Sequence, residues 1–314
     1  GALIDSTQAL EVNEFPSSAV IIGAGAIALE FASMWNAAGS KVTLLIRKDR
    51  VLSAWDRRAG TTLTRELKRH GVNIITRASV THVDTGANLG ATVHYTREGQ
   101  DGEQSVWGEI ALVAIGRDPI TDPAWGVTID DHGHVATDAY GRTDKPGVWA
   151  VGDVTAGHAL AHRAFEQGIV IAETIAGLNP NPVDEATVPQ IVFSFPEAAS
   201  VGLTVEQAQA REDLIEIKET NYPMLANARM LMSGTAGSLT IVSGCDAANP
   251  DTPRVLGVHM VSQMASDIIA EAEQLVGNHV PLADAARLVH PHPTFSETLG
   301  EALLKADGRP LHTR

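Results

Sequence analysis

Cysteine, aromatic residues and basic residues are all scarce in this chain. Its 314 residues include one cysteine, Cys245, 4% aromatic residues, and 23 Lys and Arg against 38 Asp and Glu, which gives a formal net charge of -15. One cysteine excludes a disulfide framework within a single chain. The acidic balance argues against nucleic acid or an anionic membrane as the main partner, because both bind basic surfaces.

Long apolar runs are missing as well. No stretch is long and apolar enough to span a bilayer, and residues 1–12 lack the pattern of an export signal. The hydrophobic residues, 44% of the chain, are still enough to build sizeable cores. We therefore expect a globular protein of two or three domains in the reducing cytoplasm.

What the chain does contain is a short apolar strand that leads into a glycine turn and a helix. Residues 20–30 read VIIGAGAIALE. In such a turn, Gly23 permits the sharp bend, Gly25 lets the backbone approach a pyrophosphate, and Ala28 lets helix and strand pack closely. The phosphates would bind free N–H groups at the positive end of the helix dipole. The alternative is a strand-to-helix turn that binds no ligand.

The residues that follow favour the nucleotide. The helix is predicted to end at Gly39, and a second apolar strand, 42–46, follows at the distance that a parallel strand-helix-strand unit requires. An acidic residue after that strand would favour NAD, whereas this chain has Arg47, Lys48 and Arg50. We interpret Arg47, helped by Lys48 or Arg50, as a site for the 2′-phosphate of NADP. The alternative is a solvated basic turn.

Hydrophobic patterns place further elements along the chain. In the first half we predict a helix at 61–70 and strands at 72–75, 81–83, 92–95 and 110–115, with a glycine-rich turn between the middle two strands. In the second half we predict strands at 135–137, 148–151, 190–195, 238–242 and 255–260, helices at 158–176 and 265–276, and a turn-rich insertion at 246–253. The prolines of 179–184 indicate a linker.

Asp153 follows the predicted buried strand 148–151 after one glycine. An acidic residue at the carboxyl end of such a strand points into the crevice where α/β sheets bind ligands. Its carboxylate can accept hydrogen bonds from sugar or polyol hydroxyls. It can equally cap the helix that follows, and the spacing does not distinguish the two interpretations.

The last stretch with chemistry is residues 290–297, HPHPTFSE. Prolines fix the backbone of His292, and a helix predicted from Thr294 brings Glu297 within reach of the imidazole. A Glu beside a His orients the ring and stabilises the imidazolium, as in a general acid–base. The alternative is a loop histidine, with Glu297 completing a capping box after Thr294. His290 and His292 lack further spaced zinc ligands, so we predict no metal site.

Four stretches occur in an order that resembles the pyridine nucleotide-disulfide oxidoreductases, and most closely the dihydrolipoamide dehydrogenases of that family: 23–30, 148–153, 160–164 and 290–297. The resemblance covers nearly the whole chain, but only the later part of a complete family member. It implies an α/β fold with a lead-in at 1–13, a Rossmann-type NAD(P)-binding domain at 14–117, the C-terminal part of an FAD-binding domain at 118–187, and an α+β dimerisation domain at 188–314.

The same resemblance implies roles for individual residues. The nicotinamide dinucleotide would be held by Gly23, Ala24, Gly25, Ala26, Ile27, Ala28 and Glu30, with Glu30 near the nicotinamide and the flavin and Gly116 lining the same cleft. FAD would contact Asp153 through its ribityl chain, and Ala159, Leu160, Ala161 and His162 would lie along the flavin. In a homodimer, His292, oriented by Glu297, would accept the proton of the substrate thiol at the active site of the opposite subunit.

Two departures from the family bear on the activity. Family members have an earlier FAD-binding segment and a redox-active cysteine pair, and dithiol–disulfide exchange needs two sulfurs, whereas Cys245 is alone. We therefore expect a piece of a longer enzyme that is inactive by itself. The pair Ile46-Arg47 stands where the dihydrolipoamide dehydrogenases have a Glu, and resembles the NADPH-dependent glutathione reductases.

Three functions follow from these patterns. The first is a dihydrolipoyl dehydrogenase that passes electrons between dihydrolipoamide, a cysteine pair, FAD and NAD or NADP, which His162 and the His-x-His-Pro-Thr run favour. The second is an NADPH-dependent reductase of small disulfides of the glutathione or mycothione type, which the basic turn favours. The third is a non-catalytic nucleotide-binding dimer module, which the missing cysteine pair favours.

Overall fold

The computed structural model describes residues 1–86 and 90–313. They form two compact units, of which one joins Gly1–Gly116 to the chain from Ile191 onward and the other is Arg117–Gln190. The glycine-rich turn predicted before strand 92–95 includes residues 87–89, which lie outside the described residues. No helix in the described ranges is long and apolar enough to cross a membrane.

Helices and strands are numbered in chain order. The helices are α1 (Ser6–Leu10), α2 (Ala26–Ala37), α3 (Arg57–Arg69), α4 (Ala161–Ile175), α5 (Val205–Gln209), α6 (Ala228–Ser233), α7 (Ala265–Gly277), α8 (Leu282–Ala285) and α9 (Glu297–Ala306). The strands are β1 (Leu3–Ile4), β2 (Ser18–Ile22), β3 (Lys41–Ile46), β4 (Asn73–Thr76), β5 (Ala78–Asp84), β6 (Ala91–Arg97), β7 (Glu103–Gly108), β8 (Ile110–Val113), β9 (Gln190–Val192), β10 (Glu197–Gly202), β11 (Leu214–Pro223), β12 (Ser238–Asp246) and β13 (Asn249–Ser262).

The first unit contains a parallel sheet with the strand order β1-β8-β2-β3-β4. Its inner strands are short apolar runs because both faces are covered, and Ile21 of β2 and Leu44 of β3 are fully buried in one core with Trp35 of α2. Helix α2 connects β2 to β3 as parallel neighbours. This confirms the predicted Rossmann-type unit. The predicted lead-in supplies the edge strand β1, which pairs with β8.

A three-stranded antiparallel sheet, β5-β6-β7, lies against one face of the parallel sheet. Its side chains alternate, so that Val93 and Tyr95 of β6 are buried against Val20 and Ala111 while the residues between them face solvent. The predicted strands 81–83 and 92–95 are confirmed within β5 and β6, whereas β7 was not predicted.

The chain from β9 onward forms an antiparallel sheet with the order β11-β12-β13-β10-β9. Helices α7 and α9 cover it, and Ile269 and Leu303 share a core with Val258 of β13. The structure confirms the predicted strands at 238–242 and 255–260 and the predicted helix at 265–276.

Three predictions in this region are wrong. The turn-rich insertion at 246–253 is a hairpin between β12 and β13, in which Asp246 pairs with Asn249 and forms an ion pair with Arg254 at 2.8 Å. Its prolines are tolerated because they lie at the exposed end of the hairpin. The strand predicted at 190–195 ends at Val192, and the helix predicted from Thr294 begins at Glu297.

The second unit has little regular structure apart from α4, which begins at Ala161 rather than at residue 158. The strands predicted at 135–137 and 148–151 are wrong, because both segments form only isolated bridges. Their backbone groups form single hydrogen bonds with other loop segments instead, as where Ala150 N–H donates to the Gly141 carbonyl at 3.0 Å and Val135 N–H donates to the Val154 carbonyl at 2.9 Å.

Candidate functional site

The turn after β2 has no room for a side chain at its first glycine. Gly23 has φ +145°, and a Cβ there would lie 2.2 Å from the carbonyl oxygen of Ala114 and 3.3 Å from Cβ of Ala28. The Gly23 N–H donates to the Leu45 carbonyl at 3.2 Å. The close approach of α2 to the sheet therefore requires both glycine at 23 and a small residue at 28.

The N-terminus of α2 is open. Its N-cap is Gly25, which forms no side-chain capping hydrogen bond, and its first turn has no acidic residue. A Cβ on Gly25 would meet nothing within 4 Å, so the protein's own packing does not demand glycine there. The N–H groups of Ala26, Ile27 and Ala28 have no intrahelical acceptors, since they belong to the first turn. The end of the helix therefore fits an anion.

Glu30 lies one turn further along α2 and makes a contact that the sequence did not predict. Its Oε1 accepts a hydrogen bond from the Phe193 N–H at 3.0 Å, and Ser33 Oγ accepts one from the Phe195 N–H at 3.1 Å. Two side chains of α2 thus hold the segment that follows β9. Gly116 is exposed and lies just beyond the end of β8, which pairs with β2 in the sheet.

The basic turn after β3 divides into two parts. Arg50 donates to Asp49 Oδ1 at 3.2 Å and to the Ser53 carbonyl at 3.1 Å, so its guanidinium is already engaged. Arg47 and Lys48 are exposed and form no side-chain hydrogen bond or ion pair with the described part of the chain. Of the three predicted phosphate ligands, Arg50 already has partners within the chain, whereas the side chains of Arg47 and Lys48 have none in the described part of the chain.

In the second unit, Asp153 lies in a 3-10 turn at Gly152–Val154 and is exposed. The residue before α4 is Leu160, and no side chain caps this helix, so the interpretation of Asp153 as its cap is wrong. Its carboxylate forms no hydrogen bond within the residues that the structure describes. It is an exposed acceptor beside the uncapped start of α4.

A buried arginine anchors the turn that carries Asp153. Arg163 donates to the Ala156 carbonyl and to Glu185 Oε1, both at 2.6 Å, and to Thr155 Oγ1 at 3.3 Å. Arg163 was not predicted to be a functional residue. The available signal was its position inside the resembling stretch 160–164.

The first residues of α4 and the loop before it are mostly exposed, as the predicted contact with a flavin requires. Ala159, Ala161 and His162 are exposed, and Leu160 is half-buried. The ring of His162 is held by the Pro189 carbonyl, which lies 2.7 Å from Nε2.

At the end of the first unit, His292 and Glu297 form the predicted pair. Nδ1 of His292 lies 2.8 Å from Oε1 of Glu297, and the His292 side chain is 69% exposed. The other carboxylate oxygen accepts a hydrogen bond from the Thr294 N–H at 2.9 Å. The general acid–base and capping interpretations are therefore compatible, because each uses a different oxygen of Glu297. Nε2 of His292 is left facing outward.

His290, which was weighed above as a zinc ligand, instead has a structural role. It is half-buried, its Nε2 lies 2.9 Å from Oε1 of Glu271 on α7, and a Cβ on Gly300 of α9 would lie 2.4 Å from its ring. The hydrogen bond with Glu271 raises the pKa of His290. His290 thus fixes the loop that carries His292 against both helices.

Residues 1–168 match the family model described as pyridine nucleotide-disulphide oxidoreductase, and residues 188–303 match that family's dimerisation domain. The chain is 37% identical over 313 residues to dihydrolipoyl dehydrogenase of Cupriavidus necator, covering 98% of this chain and 64% of the relative. It is 35% identical over 319 residues to mitochondrial dihydrolipoyl dehydrogenase of Pisum sativum, covering 99% of this chain and 61% of the relative.

Solved structures agree with this match. LpdA of Mycobacterium tuberculosis superposes with a TM-score of 0.84 at 26% identity, covering 96% of this chain and 64% of that one. The HOCl-induced flavoprotein disulfide reductase RclA of Escherichia coli superposes with a TM-score of 0.82 at 26% identity, covering 96% of this chain and 68% of that one. The chain spans less than two thirds of the length of the two dihydrolipoyl dehydrogenases.

Proposed function

Because the chain belongs to the pyridine nucleotide-disulphide oxidoreductase family, we propose that it is part of a flavoprotein dihydrolipoyl dehydrogenase. The substrate pair would be dihydrolipoamide, as the name of the relatives suggests, and NAD or NADP, as the pyridine nucleotide in the family's name suggests. When bound, FAD and the nicotinamide supply the hydride and electron chemistry. The redox-active cysteine pair would belong to the parent protein outside this chain, which has only Cys245.

The glycine turn supports the nucleotide site. Gly23 brings the backbone close to the sheet edge, and the open position of Gly25 leaves the N–H groups of α2 accessible to a pyrophosphate. Ala24, Ala26, Ile27, Ala28 and Glu30 would line the same site, with Gly116 at the end of the neighbouring strand.

The second unit offers groups that suit a flavin. Asp153 presents an exposed carboxylate that can accept hydrogen bonds from the hydroxyls of a ribityl chain. Residues 159–162 would lie along the flavin, where the small side chains of Ala159 and Ala161 permit close approach. Arg163 would keep the Asp153 turn in place through its bonds to Thr155 and Ala156.

The observation that carries the proposal is the 2.8 Å contact between His292 and Glu297. The carboxylate holds Nδ1, so Nε2 can accept the proton of a substrate thiol while Glu297 stabilises the imidazolium that forms. The thiolate left behind is the species that attacks a disulfide. Glu297 therefore acts by orienting the base and by balancing its charge.

The chain offers a matched control for this role. His312 pairs with Glu301 of α9 through the same ring nitrogen at 2.8 Å, and it is exposed to a similar extent, 62% against 69%. In the full parent protein, we expect His292→Gln to lower kcat for oxidation of dihydrolipoamide by roughly 10²–10⁴-fold, the usual worth of a general base. His312→Gln should leave kcat unchanged.

The proposal fails if the His292→Gln enzyme retains the activity of the unsubstituted one. It also fails if both substitutions lower kcat equally, because the effect would then follow from any exposed His–Glu pair rather than from a base at the active site.

A second candidate, an NADPH-dependent reductase of small disulfides, is favoured by the exposed and unpaired side chains of Arg47 and Lys48. Assays of the parent with dihydrolipoamide and NAD, and with glutathione-type disulfides and NADPH, separate the two candidates. Activity only in the second assay would replace the first proposal.

We also propose that the parent is a homodimer in the cytoplasm. The match of residues 188–303 to a dimerisation domain supports the dimer, in which each subunit would lend His292 to the other. The single cysteine supports a reducing compartment. Sedimentation of the parent at a mass of one subunit would contradict the dimer.

A further inference from the structure

The solvent face of the sheet β5-β6-β7 carries a cluster of two histidines and two carboxylates that the proposed function does not use. His82 and His94 are direct cross-strand partners on β5 and β6, and Asp84 follows His82 on the same face. Glu103 approaches them from β7. Three neighbouring strands therefore direct their polar side chains to one place.

The two imidazole rings are stacked in parallel. Their centroids are 4.1 Å apart and their planes differ by 8°. Oδ2 of Asp84 lies 3.1 Å from Nε2 of His94 and 3.8 Å from Nε2 of His82. Both rings thus turn the same nitrogen toward one carboxylate, so the three ligand atoms converge, all within 4.8 Å of one another.

The opposite edge of the rings faces Glu103. Its carboxylate oxygens lie 3.6 Å from Nδ1 of His94 and 3.8 Å from Nδ1 of His82. Thr81 Oγ1 donates to Oε1 of Glu103 at 2.6 Å and fixes its position. A carboxylate behind the distal nitrogen of a ligating histidine is the usual arrangement around bound metals, because it sets the tautomer and strengthens the ligand.

We propose that His82, His94 and Asp84 bind one divalent transition-metal ion of the zinc and copper class. Imidazole nitrogen and carboxylate oxygen suit these ions, and zinc bonds of about 2.0–2.1 Å to nitrogen need ligand atoms roughly 3.3 Å apart. Because imidazole binds a metal in its ring plane, the two exposed rings must rotate out of their parallel stack for both Nε2 atoms to point at one ion. Water would complete the coordination, since the cluster is open to solvent. Glu103 is a positioning residue for both imidazoles.

Elsewhere in residues 1–86 and 90–313, no other trio of His, Cys, Asp or Glu brings its ligand atoms this close. The turn at 130–134 provides a control, because it contains Asp130, His132 and His134 without such convergence. Replacing both of its histidines changes composition and charge as much as replacing His82 and His94 does.

The test is calorimetric titration of the untagged, chelator-treated parent protein with ZnCl₂. We expect the unsubstituted protein to bind one more zinc ion per chain than the double variant His82→Asn with His94→Asn. In that variant the affinity of the His82 site for zinc should fall by more than about 100-fold, since even partners outside the coordination sphere are worth 10–100-fold. The double variant His132→Asn with His134→Asn should bind zinc as the unsubstituted protein does. Glu103→Gln should weaken binding without abolishing it.

Electron paramagnetic resonance of the unsubstituted protein with one equivalent of CuCl₂ is a second readout that needs no variant to fold. Coupling of copper to two imidazole nitrogens is the expected spectrum. Equal zinc binding by the unsubstituted protein and the His82/His94 variant, an equal loss in the His132/His134 variant, or a copper spectrum without two nitrogens would overturn the proposal.

Discussion

At Gly23 a methyl group would lie 2.2 Å from the carbonyl oxygen of Ala114, whereas at Gly25 it would meet no protein atom within 4 Å. The two glycines of one turn therefore differ: the fold requires the first, whereas the packing of the protein makes no demand on the second, which lies open to the proposed nucleotide. Gly25 also has φ -91° and ψ -175°, an extended conformation that alanine adopts without strain.

Alanine substitutions at these two positions should therefore differ in their effect on stability. We expect Gly25→Ala to lower the melting temperature much less than Gly23→Ala does, because the added methyl group meets no protein atom and the backbone conformation suits alanine, while NAD(P)H binding weakens. Gly23→Ala should lower both stability and binding. Thermal melts and fluorescence titration with NADH and NADPH measure the two effects. Normal nucleotide affinity in Gly25→Ala would show that no pyrophosphate approaches this turn.

Arg47 tests the choice of nucleotide. Its exposed guanidinium can pair with a 2′-phosphate, and charge-assisted bonds are the strong ones, so Arg47→Glu should weaken NADPH binding by more than about tenfold. NADH binding should change much less. Lys41→Glu makes the same change in charge at the opposite end of β3 and should change the binding of neither nucleotide. An equal loss of affinity for NADH and NADPH would contradict a contact between Arg47 and the 2′-phosphate.

Site residues could be predicted from the sequence where their partners are close in the chain. His292 and Glu297 are five residues apart, and both contacts expected of Glu297, with the His292 ring and with the Thr294 N–H, are present. Glu30 bonds to the backbone of Phe193, which is 163 residues away, so no local pattern could indicate this contact. The engagement of Arg50 also depends on side-chain orientation, which spacing does not give.

At the scale of elements, the link between α7 and the loop before α9 is sensitive to pH. Glu271 raises the pKa of His290, so the protonated ion pair contributes stability at pH below the unfolded-state value of about 6.5. That contribution is lost as the pH rises through the folded-state pKa. The loop that carries His292 is therefore held most firmly in mildly acidic solution.

We expect Glu271→Gln to lower the melting temperature more at pH 6 than at pH 9. The difference should be roughly 2–4 °C, the shift that about 1 kcal/mol produces in a domain of 150–250 residues. Glu273→Gln removes the same charge from α7 at a residue that bonds only to Gln274 in the described chain, and its effect should not depend on pH. The ion pair is contradicted if the two substitutions respond to pH alike.

Helices and strands could be predicted from the sequence where the pattern of hydrophobic residues continues without interruption, as in β2, α2 and β3. Strand β10 was missed because its sequence, EAASVG, has little β-propensity; the strand is specified by burial between β13 and β9. The strand predicted at 148–151 has the right composition, but among the described residues it forms only one isolated bridge, between Arg142 and Trp149. Pairing partners distant in sequence decide both cases.

At the scale of the whole molecule, the first unit joins the nucleotide-type sheet to the C-terminal antiparallel sheet, and the second unit carries Asp153 and α4. The predicted nucleotide residues and the His292 pair both belong to the first unit, although they lie far apart in the sequence. The His82 cluster was not predicted, because cross-strand register determines which residues of a hairpin meet.

The most direct test of the account separates the two half-reactions of the parent flavoprotein. Rapid-mixing absorbance would follow flavin reduction under anaerobic conditions, first by dihydrolipoamide and then by NADH or NADPH. We predict that His292→Gln slows reduction by dihydrolipoamide by roughly 10²–10⁴-fold, leaves reduction by the nucleotide unchanged, and differs from His312→Gln, which is normal in both. A His292→Gln flavin reduced by dihydrolipoamide at the unsubstituted rate would contradict the account.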